Sequence, residues 1–324
     1  MASKFKTIRR KARIPFEYAG AVFLATFCRL LPFKIMRLFG AFCGRLVFLI
    51  PANRKLVLAN LALAFPEKSL AERKAIGLKS TQGMCTSFIE QMWFRKSRKR
   101  IEKYLHYSDD FRKIYDKNTS ADKPAMFSAL HYGNWELTAI AHYLLTDTKT
   151  SVVAKTIKNP RIDQLITEAR EFSGAQVIKR EGAGRKLLKV MRNKENVGLL
   201  LDQNTKGKDG SVWVDFFGVP ARMTSIVAPL ARKFDAHFLF INAERTKNGF
   251  EFTIHELDKR PSEYETEMDF NQAVMSRIEE LVRQKPEQWV WMYERWNKIP
   301  MDRLELKEKY PFYSKIEADR KVRK

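Results

Sequence analysis

The sequence predicts an α/β protein: a largely parallel or mixed sheet covered by helices on both faces, preceded by a membrane-associated helical segment. Three observations lead there. From Pro124 to about residue 242, short apolar runs alternate with stretches of helical period, and such βα alternation places parallel strands between two helical layers. The first 50 residues carry a basic arm and then two stretches rich in Phe and Leu. The 324 residues are 45% hydrophobic, ample for one large domain or a domain with an appendage. The expected division is 1–53 as a basic, apolar anchoring segment, 54–300 as the main domain and 301–324 as a charged tail.

The charge narrows the partners. Sixty Lys and Arg stand against 37 Asp and Glu, for a net charge of +23. That excess calls for a polyanion: nucleic acid, anionic lipid or a phosphorylated substrate. Cys28, Cys43 and Cys85 have no metal spacing and leave one cysteine over. They fit a reducing compartment and not a disulfide scaffold. No metal is expected.

Residues 1–13 hold Lys4, Lys6, Arg9, Arg10, Lys11 and Arg13 and no acid. The apolar stretches follow, Tyr18 to Cys28 and Ile35 to Ile50, the second interrupted by Arg37 and Arg45. Neither offers the roughly 18 uncharged residues of a transmembrane helix, and nothing reads as a cleavable signal peptide. They read as one or two helices in the membrane interface, with the basic arm on anionic headgroups. The alternative is a pair of core helices packed on the main domain.

A helix from Arg54 is stopped by Pro66. Ser69-Leu70-Ala71-Glu72 is a capping box that opens the next helix, which carries Ile76, Met84, Phe88, Ile89, Met92 and Trp93. Arg95, Lys96, Arg98, Lys99, Arg100 and Lys103 then form a second basic cluster. It is either a solvated face or a contact for membrane or phosphate.

The central stretch is Ala129-Leu130-His131-Tyr132-Gly133-Asn134-Trp135-Glu136. A buried strand over 125–130 leads into it, and a helix with Leu137, Ile140, Ala141, Leu144 and Leu145 on one stripe leads out. Asn134 stands at the N-cap position and Glu136 in the first turn. On one continuous helix His131 and Glu136 would point about 140° apart. A strand–turn–helix lets the carboxylate fold back to the imidazole, making His131 a general base for a hydroxyl. No G-x-S-x-G elbow is present, so direct transfer to a bound alcohol fits better than a covalent serine. The plainer alternative is a pair of local hydrogen bonds at a helix start.

Further strands are expected at 151–154, 175–178, 197–202, 236–242 and 249–255, and helices at 160–173, 183–193, 223–234 and 265–285. Parallel sheets bind ligands at the carboxyl ends of their strands. His131 and Asp202 both stand at such ends; Asp202 is a site residue or only a turn former. Phe216, Phe217 and Gly218 lie in an apolar stretch that lines a groove or forms a core strand and turn. His106, His142, His237 and His255 read as structural. The tail from Met301 reads as partly disordered.

Several blocks occur in one order: Asn60-Leu61 with Ala64-Phe65-Pro66-Glu67, His131 to Glu136, Lys158-Asn159-Pro160-Arg161-Ile162-Asp163 with Arg170, Leu201-Asp202-Gln203, Phe216 to Ala221, and Glu287-Gln288-Trp289-Val290-Trp291-Met292. From about Arg54 to Lys298 the chain resembles the bacterial lipid A biosynthesis acyltransferases of the lysophospholipid acyltransferase superfamily. The resemblance implies an inner-membrane enzyme, working at the cytoplasmic face. It would move a fatty acyl chain from acyl carrier protein to a hydroxyl of a lipid A precursor, with no cofactor. It makes His131 the general base and Glu136 its partner. Arg170, or Arg161 in its place, and Asp202 become further polar site residues, with Asp202 able to orient Arg170 by an ion pair. Arg170, Asn134 and the backbone N–H groups of the 132–135 turn are the candidates for holding an oxyanion. The family usually has His-Arg-Arg after the Trp-Met pair, where this chain has Tyr293-Glu294-Arg295. Competing readings are an acyltransferase for another glycolipid or phospholipid, and a non-enzymatic basic protein binding membrane or nucleic acid.

Overall fold

The computed structural model describes residues 2–120, 122–172, 174–207 and 210–317, with side chains from residue 13 onward. Five helices come first: α1 (Ala2–Leu30), α2 (Phe33–Leu49), α3 (Pro51–Ala64), α4 (Leu70–Phe94) and α5 (Arg98–Tyr104). The capping box of α4 is formed: the Ser69 N–H donates to Glu72 Oε2 at 2.8 Å, and the Glu72 N–H donates to Ser69 Oγ at 3.3 Å. Then follow β1 (Leu105–Tyr107), α6 (Phe111–Lys117), β2 (Ala125–Ala129), a 3-10 turn Trp135–Leu137, α7 (Thr138–Thr146), β3 (Thr150–Ala154), α8 (Pro160–Glu171), β4 (Ala175–Lys179), α9 (Ala183–Arg192) and β5 (Asn196–Leu200). The chain continues through β6 (Ser211–Phe216), β7 (Val219–Thr224), α10 (Val227–Lys233), β8 (His237–Arg245), β9 (Phe250–Glu256), α11 (Glu267–Gln284), β10 (Lys298–Ile299) and β11 (Lys315–Ile316).

Seven strands form one sheet in the order β1-β9-β8-β2-β5-β3-β4. Every neighbouring pair is parallel except β8–β9. That pair is joined by a link too short for a crossover, so it must be antiparallel. Successive residues of each strand face opposite sides, and two cores result. Met126, Val197, Leu199 and Phe240 pack with α9, α10 and α11; Phe127, Leu239 and Ile241 pack with α6 and α7. The expected α/β sheet with helices on both faces is therefore present.

The N-terminal segment is more than an appendage. Phe33 and Met36 of α2 are buried in the same core as Trp93 of α4. Gly40 and Gly44 let the two helices touch: a Cβ on Gly40 would lie 2.7 Å from Thr86 Oγ1. The inner face of α2 thus follows the core alternative. Its outer face does not, since Leu38, Phe42, Leu46 and Leu49 are exposed, as are Phe16, Phe23 and Leu30 of α1. Among the described residues no single helix is long and apolar enough to cross a membrane; α2 and α3 together reach that length and are bent by 90°. The basic side chains of residues 4–11 lie outside the described ones. In the second basic cluster Arg95 pairs with Glu168, Arg98 with Glu102, and Arg100 donates to the carbonyls of Trp93 and Arg29. Much of that cluster is therefore engaged within the protein.

Two expectations are corrected. Phe216, Phe217 and Gly218 do not line an acyl groove. They close the β6–β7 hairpin, where Phe216 stacks on Trp296 at 5.6 Å and Phe217 meets Trp291 edge-on at 6.0 Å. Both rings are buried, and Gly218 makes the turn at φ +73°. Trp289, Trp291 and Trp296 are all buried, and the hairpin supplies aromatic rings for them to pack on. The tail is also not loose up to residue 317. Tyr310 is buried with its hydroxyl donating to the Pro220 carbonyl at 2.9 Å, and β11 pairs with β10. Residues 318–324 lie outside the described ones.

His142, expected to be structural, is 2% exposed and bonded to the Tyr115 hydroxyl at 3.1 Å and Thr150 Oγ1 at 3.0 Å. Burial pushes its pKa down to about 4. A histidine whose folded pKa lies below its unfolded value of about 6.5 leaves stability intact above that pH. Stability should then fall between pH about 6.5 and about 4, by roughly 3 kcal/mol from this group. Urea unfolding at several pH values checks this. A His142→Gln variant should lose that part of the slope; an unchanged slope would contradict the assignment.

Candidate active site

The register of the sheet creates the site. Ala129 of β2 stands opposite Leu200 of β5. His131 and Asp202 each lie two residues further on, so two adjacent parallel strands deliver them to one place. The His131 backbone N–H donates to Asp202 Oδ2 at 2.8 Å, and its Nδ1 lies 2.9 Å from Oδ1. Trp289 Nε1 donates to Oδ2 at 2.7 Å. Asp202 is fully buried. Burial works against its charge, yet the His131 imidazole and these donors hold its carboxyl below the usual carboxylate range. An ionised Asp202 places the imidazole proton on Nδ1 and leaves Nε2 as the basic nitrogen. Nε2 makes no hydrogen bond among the described residues.

Glu136 stands apart from that pair. Arg170 grips its carboxylate with two bonds, Nε to Oε2 at 2.8 Å and Nη2 to Oε1 at 2.5 Å, and Gln91 Nε2 adds a third at 2.8 Å. The carboxylate at the imidazole is therefore Asp202, where the sequence led to Glu136. The expected Asp202–Arg170 pair is likewise absent, because Arg170 is taken by Glu136. The cause is the turn: Glu136 sits in the 3-10 segment, which aims it across to α8 and α4. Of the two candidate arginines only Arg170 reaches the site; Arg161 lies over the Tyr18 ring.

Asn134 is also placed differently. It makes no cap bond and is buried, with Nδ2 donating to Glu90 Oε2 at 3.0 Å. It does not line the cavity, which removes it as an oxyanion donor. Its role is in a clamp that sequence reasoning missed. The fully buried Glu90 carboxylate of α4 also receives Arg245 of β8 at 2.7 Å and Arg37 of α2 at 3.0 Å. Ser87 Oγ donates to the Gly133 carbonyl at 2.8 Å, and the Asn134 N–H donates to the Ala243 carbonyl at 2.9 Å. Gly133 has φ +57°, and a Cβ there would collide with the Ala243 carbonyl oxygen. The turn that carries His131 and Asn134 is thus tied to α4 and β8. The available signal was Glu90 itself, a lone acid between Ile89 and Trp93 in an apolar run. Removing it leaves two part-buried guanidinium groups without their anion. Glu90→Ala should cost about 3–5 kcal/mol in urea unfolding; a loss below about 1 kcal/mol, the value of a surface pair, would refute the clamp.

Both pairs open onto one cavity of about 1220 Å³. That exceeds the roughly 300–1,000 Å³ of sites for small ligands. It is lined by His131, Trp135, Glu136, Arg170, Met84 and Phe88, by Lys155, Arg180, Lys206 and Tyr293, and by residues of β2, β3 and β5. Trp135 packs beside the His131 ring at 5.2 Å. The unusual Tyr293-Glu294-Arg295 supports this wall. Tyr293 accepts from the Asn204 N–H at 3.2 Å, and the buried Arg295 bonds Asn204 Oδ1 at 2.5 Å. Burial pushes Arg295 down to about 10. Among the described residues no group of His, Cys, Asp and Glu is arranged to hold a metal.

An imidazole bonded to a buried carboxylate and facing a large cavity lined by apolar and cationic side chains suits transfer of a greasy group to a hydroxyl. The chain matches the family described as bacterial lipid A biosynthesis acyltransferase over residues 2–298. It is 24% identical over 276 residues to the lipid A biosynthesis lauroyltransferase of Escherichia coli (strain K12), covering 83% of this chain and 88% of that relative. A match across nearly the whole chain, on a fold whose strand ends meet at this site, makes the protein a member of the bacterial lipid A biosynthesis acyltransferase family.

Proposed function

We propose that this acyltransferase moves a fatty acyl chain from acyl carrier protein to a hydroxyl of a lipid A precursor, at the cytoplasmic face of the bacterial inner membrane. The observation that carries the chemistry is the His131–Asp202 pair at the cavity. His131 Nε2 takes the proton of the acceptor hydroxyl while Asp202 steadies the imidazolium that forms. The alkoxide oxygen bonds to the thioester carbon, and the C–S bond breaks as the tetrahedral intermediate collapses. His131 returns the proton to the departing carrier thiolate, so no cofactor is required. Arg170 gives two of its five N–H groups to Glu136. The others are available to an oxyanion or a phosphate of the acceptor. Lys155, Arg180 and Lys206 suit the phosphate-bearing arm of the carrier. The exposed apolar faces of α1 and α2 support an interfacial seat on the bilayer, where both lipid substrate and cavity are reached from one side.

The test is reconstitution. Purified protein is given acyl carrier protein thioesters and a lipid A precursor in mixed micelles, and products are read by mass spectrometry. One added acyl group on the precursor is expected. Acylation of a glycerol-phosphate or other glycolipid acceptor, with the lipid A precursor untouched, would overturn the acceptor.

A further inference from the structure

We propose that Gly198, with Phe127 and Val152 on either side of it, sets the length of the acyl chain this enzyme transfers. The inference rests on the acyl-transfer reading and deepens it. Phe127, Gly198 and Val152 stand in register on β2, β5 and β3, so they form one row across the sheet. All three line the cavity. The middle of the row has no side chain, which leaves a trough between two bulky neighbours. Glycine inside a strand weakens it and commonly marks close approach of a ligand. The next row toward the site is Ala129 opposite Leu200, and His131 lies just beyond. From Phe127 to His131 is four residues, or about 13 Å of strand. That is the scale of a medium-length saturated chain lying with its carbonyl at His131.

Below the row the cavity is walled by a hydrogen-bonded cluster. Thr150, one step below the row on β3, and His142 of α7 both line the cavity and are bonded to each other at 3.0 Å. His142 is bonded in turn to Tyr115 at 3.1 Å and lies against the Phe127 ring at 4.5 Å. A methyl terminus pushed into this cluster would break satisfied buried bonds and offer nothing in return. A chain that reaches the row therefore fits, and one that passes it does not. A Cβ built on Gly198 would lie 3.1 Å from Val152 Cγ1 and 3.2 Å from Thr150 Cγ2. A methyl group is tolerated only with a slight shift of those side chains, and anything larger must rise into the trough.

The experiment offers carrier-protein thioesters of graded chain length in competition to the wild type, Gly198→Ala, Gly198→Val and Val152→Ala, with products read by mass spectrometry. Gly198→Val should use the chain preferred by the wild type at least about tenfold less, relative to the next shorter one. Gly198→Ala should shift the same way by less. Val152→Ala, which removes bulk beside the trough and does not depend on Gly198, should widen it and weaken the discrimination between neighbouring chain lengths. Variants that keep the wild-type profile, or lose all donors in equal proportion, would overturn the ruler alone. Should the wild type itself transfer no acyl group from any donor, the acyl-transfer reading falls and the ruler with it.

Discussion

Replacing His131 by Ala should lower kcat for acyl transfer by about a thousandfold, the usual scale for losing a positioned general base. Thiol release from the carrier, followed continuously, measures it. The variant should fold, because the buried Asp202 carboxylate keeps the His131 backbone N–H and Trp289 Nε1 as donors. KM should change little, since the imidazole binds mainly what forms in the transition state. A thermal transition near that of the wild type separates loss of chemistry from loss of fold. Retained turnover in His131→Ala would remove the base from the mechanism.

Asp202→Asn should produce a loss of similar or greater size. The amide is isosteric, but an NH₂ group facing Nδ1 moves the ring proton to Nε2, the nitrogen that must accept. In hydrolases of this type such a tautomer error costs roughly 10⁴-fold. The loss should appear in kcat with KM within about twofold. Glu136→Gln gives the contrast. It leaves Arg170, part-buried and no longer facing an anion, and should act mainly through KM by loosening the group that meets the acceptor. The reverse pattern, Asp202→Asn nearly active and Glu136→Gln dead in kcat, would restore Glu136 as the partner of His131. Both variants should be compared near neutral pH. The depressed pKa of Asp202 contributes stability that is fully present above about pH 3.9 and fades only as acid passes its folded value.

Local pattern carried much of this. The apolar runs at 125–130, 151–154, 175–178 and 197–202 became β2, β3, β4 and β5, because consecutive buried residues on a parallel strand need no alternation. The Ser69 box opened α4 at the expected residue. The short β1 and α6 escaped notice, since three or seven residues show too little period to read. Phe216 and Phe217 were ambiguous for a similar reason: an aromatic pair looks the same in a groove and in a core until its partners Trp291 and Trp296 are known.

The chain order alone determined the α/β class, the strand ends that carry His131 and Asp202, and the mixed apolar and basic character of the N-terminal helices. Each depends on periodicity or composition, which are local. Only the tertiary structure decided which acid faces the imidazole. Residues 131 and 202 are far apart in sequence and become neighbours through the β2–β5 register, while Glu136, much nearer along the chain, is turned away and captured by Arg170 from α8. Strand pairing is set by the packing of the whole sheet, so no spacing within the central stretch could have revealed it.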